Sequence, residues 1–503
     1  MPAPTAGSRG RRVPSVTITT GTLMTALVLL GGCGGPTPPT VARVPPSTGI
    51  PTPAATPPIT PSSRTPVPSR AAATPIPTPA RTLEPGPDRW VAAGTMGRAV
   101  QNTQAVELGG GQVLAVGWDR TGDKPVAELW DPSTNTWRRT DSLNKNRSAF
   151  SLVALKDGRA LLAGGINDAT ESFSSAYVLD PTEGRWAKVG LMDNARTGAA
   201  AAVMSDGRVL MVGGSYCTGV VGVGEVVLAA YHRRPPAIVG QAERVFADTG
   251  PVPRCRALAT AEVFDPRTGN WSRTSAMRYA RAGAIATPLG DGRVLVWGTR
   301  SWSDLQAPEG GEIYDPATGR FTPAPAVPVP DRAYLERFGV PVPAAWQAPS
   351  AGAWETESVA FVPLPDGDAL LAMKGWLSGP WEDMSVSRWL RFDTRADAWL
   401  EVSAPFVEVM DQDRATTYGT GHPDGIVAAL RDGRVLFAGG EGHPRAADVL
   451  APSVGAWSSL PQLPADRWEA EAVTLADGSV LVIGTALRNG KKNDRAFRFL
   501  PAR

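Results

Sequence analysis

One string recurs seven times in this 503-residue chain and constrains its architecture more than any other feature. It reads GGQVLAVGW from Gly110, DGRALLAGG from Asp157, DGRVLMVGG from Asp206 and DGRVLVWGT from Asp291. It continues as DGDALLAMK from Asp366, DGRVLFAGG from Asp432 and DGSVLVIGT from Asp477. Each copy sets Asp-Gly, or Gly-Gly in the first, between an alternating apolar run and a β-rich run, which is a strong hairpin signal. Gly111, Gly158 and Gly207 are spaced 47 and 49 residues apart, and Gly433 and Gly478 are 45 apart. A period of that size marks a repeat architecture, so the length does not divide into separate domains.

A second string trails each first one: LWDPSTNTW ending at Trp137, VLDPTEGRW at Trp186, VFDPRTGNW at Trp271 and IYDPATGRF at Phe321. Weaker copies are RFDTRADAW at Trp399 and VLAPSVGAW at Trp457. The seventh opens as FRFLP at Phe497 without reaching its Trp, while DRWVA supplies Trp90 ahead of the first hairpin. A repeat split between the two ends closes a ring, because the N-terminal strand completes the last sheet and leaves no open edge. Each unit reads as four strands: a (apolar run), b (after Asp-Gly), c (ending at Asp-Pro) and d (carrying Trp).

With Gly-Gly after strand b and its spaced aromatic positions, the unit resembles the kelch repeat of galactose-oxidase-type propellers. The resemblance implies an all-β fold, a seven-bladed kelch-type β-propeller over 88–503, its last blade closed by the N-terminal strand. Gly298-Thr299, Met373-Lys374 and Gly484-Thr485 replace the double glycine in blades 4, 5 and 7.

Residues 1–32 carry Arg9, Arg11 and Arg12, no acid, and an apolar stretch from Leu23 to Leu30. That pattern is an export signal, too short to span a membrane. The string LGGC resembles the lipobox of bacterial lipoproteins, which implies lipidation of Cys33 and anchorage in the bacterial cell envelope, extracytoplasmic. From Gly34 to Pro87 there are 17 Pro and 10 Thr in 54 residues and no aromatic ring, a composition that predicts a disordered Pro/Thr-rich linker, a solvated stalk over 33–87. The formal charge of +2 belongs to these segments: from Asp88 onward 43 basic residues face 47 acidic ones. Nothing in that balance suits a nucleic-acid surface.

The long connections fall between b and c of blade 3 (215–258) and of blade 5 (374–387), and between d and a before blade 5 (322–354) and before blade 6 (403–421). In a meander all four leave the same face, and loops on a rigid scaffold are where binding residues concentrate. That face, over blades 3–6, is the expected functional one. It carries Trp302, Trp346, Trp354, Trp376, Trp381, Tyr334 and Tyr418 as candidate rings for a sugar or protein partner.

Eight residues before the Leu, or Met204 in blade 3, that precedes Asp-Gly in blades 2, 3, 4, 6 and 7 stand Arg147, Arg196, Arg281, His422 and Arg467. These arginines either form a partial positive ring at the mouth of strand a or pair with carboxylates such as Glu128, Glu262 and Glu312 of the neighbouring blade. Cys217 and Cys255, both in the blade 3 insertion of an exported chain, read as one disulfide; the alternative is a free, reactive Cys217.

Two functions from different classes remain open. The first is an anchored binding module, a monomer without cofactor, presenting the decorated face to an unknown protein or glycan and sitting on the membrane through its lipid anchor. The second, implied by the galactose oxidase resemblance, is a sugar-active enzyme: a copper-radical oxidase or a mutarotase-like isomerase. A copper site draws on His232, His422 and His443 with Tyr231 and Cys217 as ligands. No Ser/His/Asp motif, zinc spacing or phosphate loop assigns a catalytic residue.

Overall fold

The computed structural model describes residues 87–97, 101–118, 125–141, 143, 147–167, 171–221, 252–298, 310–327, 330–337 and 354–378. It further describes 383–403, 406–411, 414–418, 425–440, 444–467, 470–484 and 494–502. The chain divides into Met1–Thr74 and Pro75–Arg503, and every described residue lies in the second unit. The expected export signal, Cys33 and the stalk up to residue 86 lie outside the described residues.

Seven antiparallel sheets follow one another along the chain, each with its strands in the order a-b-c-d. Blade 1 comprises Gln101–Glu107, Val113–Trp118, Pro125–Asp131 and Thr136–Arg139. Blades 2 to 6 occupy 151–188, 200–273, 285–323, 354–401 and 426–459. Blade 7 is built from both ends of the fold: Glu471–Thr474, Val480–Ile483 and Arg495–Leu500 supply a, b and c, and Arg89–Thr95 supplies d. The closing register sets Arg89 against Leu500 and Trp90 against Phe499. Each strand a neighbours the next, and that of blade 7 neighbours that of blade 1, so the ring is complete.

Strand b of most blades is an unbroken apolar run because it is the inner strand of a sheet covered on both faces. Ala160–Ala163, Val209–Val212, Val294–Trp297, Val435–Ala438 and Val480–Ile483 are buried at every position. The cores therefore lie between blades. One joins Leu155, Leu161 and Met192 of blade 2 to Val209, Met211 and Phe264 of blade 3. Another joins Leu436 and Val449 of blade 6 to Val482 and Phe499 of blade 7. Strands d of blades 1 to 4 and 6 are exposed except at their aromatic residue, which faces inward.

In four of the blades that residue does more than pack. Trp137 Nε1 donates to Ala93 O of blade 7 at 2.9 Å, and Trp399 Nε1 to Pro325 O, just past strand d of blade 4, at 2.8 Å. Trp457 Nε1 reaches Ser403 Oγ of blade 5 and Trp90 Nε1 reaches Pro461 O of blade 6. Each of these rings thus fastens its blade to the preceding one, including across the closing seam.

Besides the blade 3 insertion, two connections expected as loops are ordered strand instead. In blade 5, strands b and c run on as Ala369–Ser378 and Asp383–Asp393, in register from Ala369–Phe392 to Ser378–Asp383. The connection into blade 6 forms a hairpin, Phe406–Asp411 with Arg414–Tyr418, that adds to the protruding part of strand c. An exposed ladder edge recruits β-capable segments, and FVEVMD and RATTY are rich in such residues.

Candidate functional site

The repeat arginines do not form an open positive rim. Arg147, Arg196, Arg281 and Arg467 are each at most 4% exposed, and their donors are turned into their own blades. Arg147 Nη1 donates to the carbonyls of Gly164 (2.8 Å) and Ser175 (3.2 Å). Arg196 Nη1 does the same to Gly213 and Thr260, both at 3.0 Å, and Arg281 Nη1 to Gly298 (3.2 Å) and Gly310 (2.7 Å). Arg467 donates to its neighbour Asp466 and to Arg495 O. Each side chain thus fills backbone acceptors left over where strands b and c leave the ladder.

The charge is met in two ways. In blades 3 and 4 a buried glutamate on strand c takes it: Arg196 Nη2 to Glu262 at 2.7 Å and Arg281 Nη2 to Glu312 at 3.4 Å. In blades 2 and 7 the equivalent strand c position is aromatic. Arg147 lies 4.4 Å from the centroid of Phe173 and 5.0 Å from that of Tyr177, and Arg467 lies 4.8 Å from that of Phe497. Burial pulls both of these arginines down to about 10, against the opposing pull of Tyr177 on Arg147 and of Asp466 on Arg467, and both stay fully charged at neutral pH. The carboxylate pairing is within a blade, not between blades. The glutamates also hold the chain entering their blade: Glu262 accepts the amides of Asp193 and Asn194, Glu312 that of Arg278, and Glu128 that of Gly97.

The double glycine supplies the bond between blades. The amides of Gly165, Gly214 and Gly440 donate to the backbone carbonyls of Arg196, Arg281 and Arg467 in the next blade at 2.8–2.9 Å. Gly213, at φ +66°, sits so close that a Cβ would lie 2.8 Å from Arg281 O. Arginine and double glycine form one relay around this face, from Gly165 to Arg196, on to Gly213 and Gly214, then to Arg281.

The same face carries the extensions. In blade 3, Ser215–Val221 pairs with Val252–Ala257, with Cys217 directly opposite Cys255 and joined to it by a disulfide. The base of this hairpin is stitched to blade 2: Cys217 N donates to Ser172 Oγ at 2.9 Å and Ser172 N to Cys217 O at 3.1 Å. The connection into blade 5 holds a one-turn helix, Arg332–Arg337, whose Leu335 is buried with Trp297, Leu371 and Leu390. Its Tyr334 donates to Glu401 at 2.6 Å, and Glu401 also takes Arg388 at 2.7 Å. Tyr334 is therefore a structural anchor rather than an exposed ring. Trp354, Trp376 and Tyr418 lie at strand positions where the backbone alone is described. Trp302, Trp346, Trp381, Tyr231, His232, His422 and His443 lie outside the described residues.

On the opposite face the Asp-Gly-Arg turns form a second set of ties that sequence reading passed over, although the Arg recurs in four copies. Arg159 Nη2 of blade 2 donates to Pro266 O of blade 3, and Arg293 of blade 4 pairs with Asp397 of blade 5 at 2.6 Å. Arg434 of blade 6 approaches Asp88 of blade 7 at 3.9 Å. Blades 5 and 7 have Asp368 and Ser479 in that slot, and both compensate with an arginine on strand c. Arg391 binds Asp366 and Asp368, and Arg498 binds Asp477 and Ser479.

Among the described residues no group of three or more His, Cys, Asp or Glu could hold a metal ion. Cys217, the one thiol in the expected copper donor set, is committed to Cys255. The chain is thus a seven-bladed β-propeller, with glycine pairs after strand b and inward aromatics on strand d. No family model and no curated protein matches it. Among solved structures it is similar to a "novel fungal alcohol oxidase with catalytic diversity among the AA5 family, in complex with copper". That likeness has a TM-score of 0.47 and 15% identity over 83% of this chain and 76% of that one, and it concerns shape alone.

Proposed function

We propose that this chain is a binding module, lipid-anchored at Cys33 in a bacterial cell envelope and held off the membrane by the 33–87 stalk. The b-to-c and d-to-a face of blades 3–6 takes a protein or glycan ligand. One observation carries the reading: apart from the single 3-10 turn Gly109–Gly111 between strands a and b of blade 1, every described element beyond the four-stranded repeat departs from that face. These are the disulfide-closed hairpin of blade 3, the lengthened strands of blade 5, the hairpin 406–418 and the helix at Arg332. The repeat residues beneath them are consumed in holding blades together, which leaves recognition to the extensions.

The oxidase reading loses Cys217 as a possible reactive ligand, since its sulfur is bonded to Cys255. Copper loading of the purified mature chain, followed by oxygen-consumption assays with galactose and simple alcohols, separates the two classes. The binding module gives no turnover above the copper-free chain. Stoichiometric copper with hydrogen peroxide release overturns it.

A further inference from the structure

The face opposite the extensions holds a cavity of its own. Where strands a of blades 5, 6 and 7 run into their a-to-b turns, they line an open hollow of about 360 Å³, within the range of small-molecule sites. The walls are apolar, with Phe361, Val427, Ala429 and Ala472 prominent, and only two lining side chains are polar, Arg431 and Thr474. Thr474 Oγ1 donates to Ala429 O at 2.7 Å, so it faces the cavity with lone pairs alone. Arg431 is exposed and, among the described residues, makes no ion pair within 4.0 Å. Its neighbour in the same turn, Arg434, is bound to Asp432 at 2.7 Å.

We propose that this channel mouth binds a small molecule with an apolar body and a single carboxylate, the carboxylate paired with Arg431 and the body laid against Phe361, Val427 and Ala472. A guanidinium beside an apolar, low-dielectric wall attracts a carboxylate more strongly than one in open water. A doubly charged phosphate is disfavoured, because Glu107 of blade 1 stands near enough for its carboxylate to feel Arg431. Glu107 leaves Arg431 available, since its own oxygen accepts the Ala476 amide at 2.5 Å. This site lies on the other face from the proposed recognition surface and does not depend on it.

Ala429 offers a clean way to fill the cavity. The equivalent position in the other six blades holds Glu107, Ala154, Val203, Pro288, Pro363 and Thr474, so five of them accept more bulk there. The experiment is calorimetry and saturation-transfer NMR on the full chain, with 4-phenylbutyrate as probe and 4-phenylbutan-1-ol as its uncharged counterpart. The expected result is binding of the acid at least about tenfold tighter than the alcohol, the scale of a charge-assisted contact. Arg431→Gln removes that difference while the alcohol's affinity stays unchanged. Ala429→Leu abolishes binding of both probes at an unchanged melting temperature, and Glu107→Gln tightens binding of the acid. If Ala429→Leu fails to fold, Arg431→Gln decides alone. No binding of either probe, equal binding of both, or an Arg431→Gln chain that still prefers the acid overturns the proposal.

Discussion

The guanidinium of Arg196 and the carboxylate of Glu262 meet at 2.7 Å with both side chains almost wholly excluded from water. Removing one partner of a buried pair strands the other charge and costs about 3–5 kcal/mol. Glu262→Leu is expected to lose that much in urea unfolding. The double variant Arg196→Met/Glu262→Leu loses less than the sum of the singles, because no bare charge remains. Additive losses in the double-mutant cycle contradict the pairing.

Gly439 and Gly433 share a left-handed backbone and differ in room. A Cβ on Gly439 (φ +71°) would stand 2.6 Å from Arg467 O across the blade 6–7 boundary, whereas one on Gly433 (φ +87°) would meet nothing within 4 Å. Gly433→Ala is expected to cost about 1–2 kcal/mol for the backbone conformation alone. Gly439→Ala costs more, with thermal melting as the readout. Equal losses would mean that the close approach between blades is unimportant.

Asp368 gives stability that depends on acid. Burial raises its pKa, but hydrogen bonds from Thr394 and Arg391 outweigh burial and hold it below the ordinary 3.8. The folded state therefore binds the proton less tightly than the unfolded chain. Its contribution is complete above 3.8 and lost as pH falls through the lower folded value. Asp368→Asn should be less stable than the parent at pH 7, with the gap closing near pH 3. A constant gap across that range refutes the assignment.

Glu107 has the opposite sign. Burial raises its pKa above 4.5, against the opposing pull of the Ala476 amide and Arg431. The folded state binds this proton more tightly, so the contribution is full below 4.5 and lost as pH rises through the folded value. Glu107→Gln should raise the melting temperature at pH 7 relative to the parent, and by less at pH 4. A lower melting temperature at pH 7 contradicts this.

The Cys217–Cys255 bond spans a sequence separation of 38, nominally worth about 4 kcal/mol on the loop-entropy model. In the double serine variant, hydrogen exchange is expected to speed up at the Cys217 amide and along its hairpin, and to stay slow in strand b of blade 3. Intact mass under non-reducing conditions with two free thiols rejects the bond outright.

Much of the fold was legible because a repeat is its own alignment. Asp-Gly turns, the split seventh unit and the inward aromatics each mark a backbone demand that recurs at one position. The arginine slot was visible in the same way, but its direction was not. Whether Arg147 points to the channel or into its sheet depends on which carbonyls of strands b and c lack partners, and three-dimensional packing decides that. Strand c equivalents such as Tyr177 and Glu262 differ in charge yet serve equivalent arginines, Arg147 and Arg196, so spacing alone cannot pair them. The hairpin at 406–418 escaped notice for a different reason: its pairing partner, the protruding end of Asp383–Asp393, is itself an insertion that no repeat position marks.

The central claim is that recognition belongs to the extended face. The direct measurement places a photoreactive side chain at exposed Thr218, on the blade 3 hairpin, or at exposed Thr182, in the c-to-d turn on the opposite face. Crosslinked envelope material is then compared in cells producing the full chain. The account predicts one dominant adduct from Thr218, lost when the hairpin is shortened, and none from Thr182. Adducts from Thr182 alone, or equal adducts from both positions, would contradict it.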